Sequence, residues 1–190
     1  MTKWEMRDGL LNCRASPGES AQTKALTTDR CFGAVMPDVA ARVERAWAKI
    51  RRKEYAAPRK EADILYAECP QRRDVLYLLA VSLRCLKCFS EALRVLDPLE
   101  CHHPVYPRGF EERGLCNLAL GHTVAAITAF SRAAALDPWS LVSWRALQTL
   151  YRDSKRKEDA AAAAQCCAAL TALPTAVRTG YNGLYRIPSG

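Results

Sequence analysis

The chain has 190 residues, enough to bury one core or one short stack of repeats but not two full domains. Its hydrophobic fraction is 49% while aromatic residues make up 8%, and abundant alanine favours packed helices over a sheet. The formal net charge of +8 suits an acidic partner, whether nucleic acid, anionic lipid or an acidic protein segment. No stretch approaches the length of a membrane span, and residues 1–35 lack the apolar run of a secretion signal.

The nine cysteines form an odd number, and several of them recur at the spacing of a buried helix face. This pattern predicts free, mostly buried thiols rather than a disulfide framework. A reducing cytoplasm is the compartment that it implies.

The N-terminal segment, residues 1–37, mixes Gly, Ser, Thr and Pro with scattered charge and shows no helical or strand period. It is predicted to be a disordered leader. Asp38 is then the expected N-cap of the first helix. Basic residues dominate the next stretch, 42–60, which we interpret chiefly as a solvated helix face; nucleic-acid binding through it ranks as a third hypothesis.

The central stretch carries the most regular pattern. With Pro107 as position 1, an aromatic falls at position 4 (Phe110), glycine at 8 (Gly114), alanine at 20 (Ala126), phenylalanine at 24 (Phe130) and proline at 32 (Pro138). The small residues allow two helices to approach closely, the bulky ones fill the space between them, and the proline ends the second helix.

The same period of 34 residues extends in both directions. It divides the chain into a degenerate repeat, 39–72, and the repeats 73–106, 107–140 and 141–174. Pro58 falls at position 20 of the first repeat and is tolerable only in the first turn of a helix. Pro98 is expected to shorten or kink the second helix of its repeat near Asp97.

The C-terminal end departs from the pattern in two ways. The closing proline of the last repeat, Pro174, comes two residues late, which predicts a longer second helix, and residues 175–190 are predicted to be a disordered tail. No capping helix follows the last repeat. An apolar edge with Leu170 and Leu173 is therefore expected to face water, and self-association or docking through this repeat is predicted.

The repeat spacing resembles that of the tetratricopeptide (TPR) superfamily, which implies an all-α, right-handed solenoid of antiparallel helix pairs over residues 38–174. More narrowly, the run YPRGFEERG from Tyr106 and the run DPWSLVSWRALQTLYR from Asp137 resemble the N-terminal repeats of bacterial TPR-sulfotransferase proteins. This resemblance implies an alternative function, the accessory portion of a sulfotransferase whose catalytic domain is missing from the chain.

The sequence contains only weak candidates for a metal-binding or catalytic site. Cys85 and Cys88 have CxxC spacing and Cys101-His102 lies downstream, but the helix ends that would hold these two groups point apart, which disfavours a zinc site. Cys101 and His102 are neighbours in sequence only, and Glu111-Glu112 is interpreted as part of a surface ion-pair network. Phosphate-binding motifs do not occur. The sequence therefore predicts no catalytic, cofactor or metal residue, and a chain that is not an enzyme.

The first hypothesis is a non-catalytic protein–protein interaction module with a concave groove for an acidic or amphipathic protein segment. In the TPR superfamily, positions 2, 5, 9 and 12 of each first helix face that groove. They are Asp74, Tyr77, Val81 and Arg84, then Arg108, Glu111, Leu115 and Leu118, then Val142, Arg145, Thr149 and Arg152. The guanidinium group of an arginine can bind a carboxylate through two parallel hydrogen bonds, and Tyr77 offers an apolar contact. The partner-binding candidates among them are Asp74, Tyr77, Arg84, Arg108, Glu111, Leu115, Arg145, Thr149 and Arg152.

Overall fold

The computed structural model describes residues 37–173, which form eight α-helices and no strand. The all-α prediction is confirmed. Apart from Pro37, the predicted leader lies outside the described residues, as does the predicted tail. The helices are α1 (Pro37–Arg51), α2 (Ala56–Glu68), α3 (Arg73–Cys85), α4 (Phe89–His102), α5 (Pro107–Ala119), α6 (Thr123–Leu136), α7 (Leu141–Asp153) and α8 (Lys157–Ala172).

The helices stack into a right-handed solenoid. Each helix packs on the next one along the chain, and in addition α1 contacts α3 and α3 contacts α5. The first three odd-numbered helices therefore lie side by side, and the predicted groove residues belong to odd-numbered helices. Within residues 37–173 no helix combines the length and hydropathy needed to cross a bilayer.

The turn inside each helix pair has the same backbone conformation in all four repeats. Lys53, Lys87, Gly121 and Lys155 lie 34 residues apart and adopt positive φ angles of 63°, 63°, 76° and 59°. Each donates its backbone N–H to the carbonyl three residues earlier, over 2.9 to 3.1 Å. Such a left-handed residue is the usual way to end a helix and satisfy its last carbonyls. The degenerate repeat 39–72 therefore keeps the turn geometry of the others.

The packing between α5 and α6 shows why position 8 is glycine. A Cβ atom built on Gly114 would lie 2.7 Å from the ring of Phe130, which is fully buried. Ala126 and Ala133 are also fully buried on the same helix as Phe130. The small and bulky positions thus fit together as the sequence predicts.

The two irregular prolines behave differently. Pro58 is the third residue of α2, in its first turn as expected. Pro98 lies inside α4, which continues to His102 and has the same 14 residues as α6. The predicted shortening is therefore wrong, and the alternative, a kink near Asp97, stays a prediction. Arg94, whose carbonyl loses its donor to the proline, is exposed, so water can take the place of the missing N–H.

The ends of the helical stack bring further corrections. Because α1 begins at Pro37, Asp38 lies in its first turn and is not the N-cap. The last helix, α8, has 16 residues and is longer than α4 and α6, as predicted. Leu170, however, is only 8% exposed and Leu173 is half-buried. The predicted apolar edge is thus wrong at Leu170, because that side chain is packed away from solvent.

Candidate interaction groove

An aromatic cluster links the first three odd-numbered helices. The ring of Tyr77 on α3 lies 5.5 Å from that of Trp47 on α1 and 5.5 Å from that of Tyr106, which immediately precedes α5. The Tyr77–Tyr106 pair is edge-to-face, an arrangement favoured by ring quadrupoles. The Arg73 guanidinium lies 5.1 Å from the centre of the Tyr106 ring. Tyr77 is therefore partly buried between its two aromatic neighbours.

The hydroxyl groups of this cluster are held neutral. Burial raises the pKa of Tyr77 far above its ordinary value, with the Glu112 carboxylate adding to the effect. Burial also raises the pKa of Tyr106 to about 12. The Arg108 side chain, half-buried at the start of α5, interacts with Tyr77, which raises the pKa of the guanidinium against the effect of burial. Arg108 thereby ties α5 to α3 through a neutral phenol.

A buried ion pair also joins these two helices. Arg84 of α3 donates to Glu112 of α5 through Nε, and its Nη2 lies 3.4 Å from the other carboxylate oxygen. The Glu112 side chain is 8% exposed. Burial raises the pKa of Glu112, and the hydrogen bond from Arg84 opposes that shift. The expected surface network at Glu111-Glu112 is therefore wrong for Glu112, which is a core residue paired with a predicted groove residue.

Two further candidates are occupied by contacts within the chain. Glu111 accepts hydrogen bonds from the hydroxyls of Ser140 and Ser143, the latter over 3.0 Å. Ser140 is the N-cap of α7 and accepts from the backbone N–H of Ser143, so Glu111 fixes the start of that helix. Asp74 accepts from Arg72 over 2.8 Å and from the backbone N–H of its own neighbour Val75.

The groove positions of α7 are different. Arg145, Thr149 and Arg152 are exposed, and none of their side chains has a hydrogen bond or ion pair among the described residues. Val142 is 56% exposed, and Leu118 at the end of α5 is 44% exposed. Leu115 is half-buried against the side chains of α6 and α7.

The predicted groove thus has two parts, which we name by their state. The closed half contains groove residues that bond within the chain, namely Trp47, Asp74, Tyr77, Arg84, Arg108 and Glu111. The open half contains those that face solvent, namely Leu118, Val142, Arg145, Thr149 and Arg152. Leu115 lies between the two halves along α5.

Sequence reasoning missed Trp47 of the closed half and two residues that contact this half, Tyr106 and Glu112. Trp47 occupies position 9 of the degenerate repeat and would have been selected if the groove register had been applied there. Tyr106 stands at position 34, before the helix, and Glu112 at position 6, beside the expected groove positions. Their roles depend on contacts with other repeats, which the repeat pattern alone does not specify.

The cysteines offer no reactive centre in this region. Burial raises the pKa of Cys116 to about 11 and also raises that of Cys85, so both thiols stay protonated at neutral pH. All seven cysteines in residues 37–173 are free thiols. In the same part of the chain, no three His, Cys, Asp or Glu side chains converge as a metal site would require.

No protein-family model and no curated protein sequence matches the chain. Solved structures do. The first TPR domain of human RPAP3 superposes with a TM-score of 0.59 at 16% identity, over 64% of this chain and 95% of that one. TTC0263, a thermophilic TPR protein of Thermus thermophilus, superposes with a TM-score of 0.62 at 19% identity, over 70% of this chain and 74% of that one. MamA (41-end) from Desulfovibrio magneticus RS-1 superposes with a TM-score of 0.58 at 20% identity, over 72% of this chain and 75% of that one. The eight described helices therefore have the fold of a TPR solenoid.

Proposed function

We propose that the chain is a non-catalytic protein-interaction module that binds an acidic, amphipathic protein segment along the open half of its groove. The observation that carries this proposal is the contrast in side-chain pairing. Arg145 and Arg152 are exposed without a carboxylate partner among the described residues, whereas Arg84, at an equivalent groove position, is paired with Glu112.

The chemistry of the open half determines the class of partner. Two guanidinium groups on one helix can each bind a carboxylate with two parallel hydrogen bonds. Leu118 and Val142 provide exposed apolar surface beside them, and Thr149 adds a hydroxyl that can donate or accept. A segment with acidic residues on one side and aliphatic residues on the other satisfies both requirements, as in other cases of peptide recognition by a preformed groove.

The remaining candidates act as the frame of the groove. Tyr77, Arg84 and Glu111 link α3, α5 and α7 through contacts within the chain, and Asp74 accepts hydrogen bonds at the start of α3. Arg108 and Leu115 lie at the border between frame and open half. A rigid frame lowers the conformational cost of binding because the groove is formed before the partner arrives.

The test uses a defined probe. A fluorescein-labelled synthetic peptide carries leucines at helical spacing and glutamates on its other face, and a twin peptide has every glutamate replaced by lysine. Fluorescence anisotropy should show binding of the acidic peptide alone. Arg145→Glu with Arg152→Glu should weaken it by at least about tenfold, equivalent to about 1.4 kcal/mol.

The matched control is Arg94→Glu with Arg132→Glu, which makes the same charge change at exposed positions of α4 and α6. This variant should bind within about twofold of the wild type, since its changes lie on even-numbered helices outside the groove. Equal weakening by both double variants would mean that net charge, and not the open half, determines binding. Failure of the wild type to bind the acidic peptide would overturn the proposal.

A further inference from the structure

The solenoid has two edges, each formed by one set of turns. The turns inside the helix pairs, residues 52–55, 86–88, 120–122 and 154–156, lie at one end of the pairs, here called the A–B edge. The turns between repeats, residues 69–72, 103–106 and 137–140, lie at the other end, here called the B–A edge. The groove positions lie along the odd-numbered helices between these edges, and the last of them, Leu118 and Arg152, border the A–B turns.

Lysine occupies the positive-φ position in three of the four turns of the A–B edge. These are Lys53, Lys87 and Lys155; all are exposed, and none has a side-chain hydrogen bond or ion pair among the described residues. An L-residue is conformationally disfavoured in this region, whereas glycine, present at Gly121, is not. No side-chain contact within the described fold offsets that cost.

More cations without carboxylate partners flank these lysines. The exposed and unpaired cations among the described residues near this edge are Lys49, Arg51, Arg52, Lys60 and Lys157. The unpaired acids near it are fewer, namely Glu54, Asp153 and Glu158. Several basic residues of the first helix pair are neutralised instead. On the 42–60 face, Arg42 pairs with Glu61 and Glu68, and Arg59 pairs with Asp63 and Glu91. The unpaired positive charge of that face therefore lies mostly in and beside the turn between α1 and α2.

The geometry of the lysine row determines which polyanion it fits. Lys53 and Lys87 occupy the same point of neighbouring helix pairs, and Lys155 continues the row two repeats further on. The right-handed twist of a solenoid curves such a row. A flexible strand can follow a curved row, whereas a flat bilayer meets only part of it. Ammonium groups act as point charges toward phosphates, whereas carboxylates favour arginine forks.

We propose that the A–B edge binds the phosphodiester backbone of single-stranded nucleic acid, without sequence preference, through Lys53, Lys87 and Lys155 and the cations beside them. This interaction surface is distinct from the peptide groove. Its binding is electrostatic and depends on the release of counterions from the strand.

The test measures anisotropy of a labelled oligodeoxythymidine with the full chain, from about 50 mM to about 200 mM salt. The variant is Lys53→Gly, Lys87→Gly and Lys155→Gly together. Loss of three phosphate contacts should lower the slope of log affinity against log salt by about 2 and weaken binding at least about tenfold at the lowest salt. Glycine suits the positive φ angles, so the melting temperature of the variant should equal or exceed that of the wild type, which excludes unfolding as the cause.

The control is Arg73→Gln, Arg94→Gln and Arg132→Gln, which removes the same charge from exposed positions away from the A–B edge. It should keep the wild-type salt slope. Equal loss in both variants, or no oligonucleotide binding by the wild type at about 50 mM salt, would overturn the proposal. Tighter, lysine-dependent binding to polyglutamate or to phosphatidylserine vesicles than to the oligonucleotide would overturn the assignment to nucleic acid.

Discussion

Arg84 and Arg152 occupy the same position of their repeats, yet one is part of the fold and the other is part of the surface. Arg84 meets Glu112, a carboxylate on the next odd-numbered helix that is 8% exposed. Arg152 is exposed and has no ion pair among the described residues. The comparison shows that a groove position acquires its role from the helix packed beside it.

The same contrast holds at position 5, where Tyr77 and Arg145 correspond. Tyr77 touches Trp47 and Tyr106 through its ring, whereas Arg145 is exposed. The closed half therefore contributes to the stability of the solenoid, while the open half is free to contribute to binding. The following predictions separate these two roles, from the largest expected effect to the smallest.

Tyr77→Ala should lower the free energy of unfolding by about 3 kcal/mol, because it removes an aromatic side chain from a packed cluster. Arg145→Ala, at the same repeat position, should change it by less than about 0.5 kcal/mol. Urea denaturation followed by circular dichroism measures both values. Similar losses in the two variants would contradict the division of the groove into halves.

Arg84→Ala should lower the free energy of unfolding by about 2 to 3 kcal/mol, since it leaves the buried Glu112 carboxylate without its partner. Arg152→Ala should have almost no effect. The double variant Arg84→Met with Glu112→Leu should recover most of the loss, because it removes both charges from the interface. If the double variant is as unstable as Arg84→Ala, the cost arises from lost packing and not from an unpaired charge.

The stability contribution of Glu112 should depend on pH in a defined direction. Burial raises its folded-state pKa above the ordinary value of 4.5, so the folded protein takes up a proton before the unfolded chain does as the pH falls. The penalty for an ionised Glu112 is therefore fully present above the folded pKa, and it disappears as the pH falls toward the unfolded value.

Wild type should accordingly gain stability relative to Glu112→Gln as the pH falls through the raised folded-state pKa toward the ordinary value of 4.5. Urea denaturation of both proteins across this range measures the difference. A change in the opposite direction would show that Arg84 stabilises the carboxylate by more than burial penalises it.

The smallest expected effect concerns the start of α7. Glu111→Gln should cost about 1 kcal/mol, because the hydroxyls of Ser140 and Ser143 lose a charged acceptor. Thr149→Ala, in the open half, should be neutral. Thermal unfolding of the two variants side by side gives the comparison, and an equal shift in melting temperature would argue against a structural role for Glu111.

The sequence was sufficient to predict the architecture because the signature residues act locally. Gly114 and Phe130 belong to one repeat, and their spacing alone predicts that two helices approach closely at that point. The pairing of Arg84 within the fold was not predictable in this way. Its partner, Glu112, lies 28 residues away in another repeat, and a repeat register does not reveal whether such a pair is buried.

The errors have related causes. Pro98 was expected to shorten or kink α4, but the helix keeps its length, because loss of one hydrogen bond is tolerated where solvent can replace the donor. Leu170 was assigned to an exposed edge from the position of the last repeat, but the direction of its side chain around α8 decides its burial. The predicted self-association therefore loses one of its two supporting residues. The resemblance to TPR-sulfotransferase proteins stays a prediction.

The most direct test of the central claim is an NMR titration of isotopically labelled protein with the acidic amphipathic peptide. Amide shifts should change most at Val142, Arg145, Thr149 and Arg152 and at the end of α5 near Leu118, with little change around Tyr77 and Arg84. Shifts concentrated in the closed half, or spread evenly over the surface, would contradict the assignment of the open half as the binding surface.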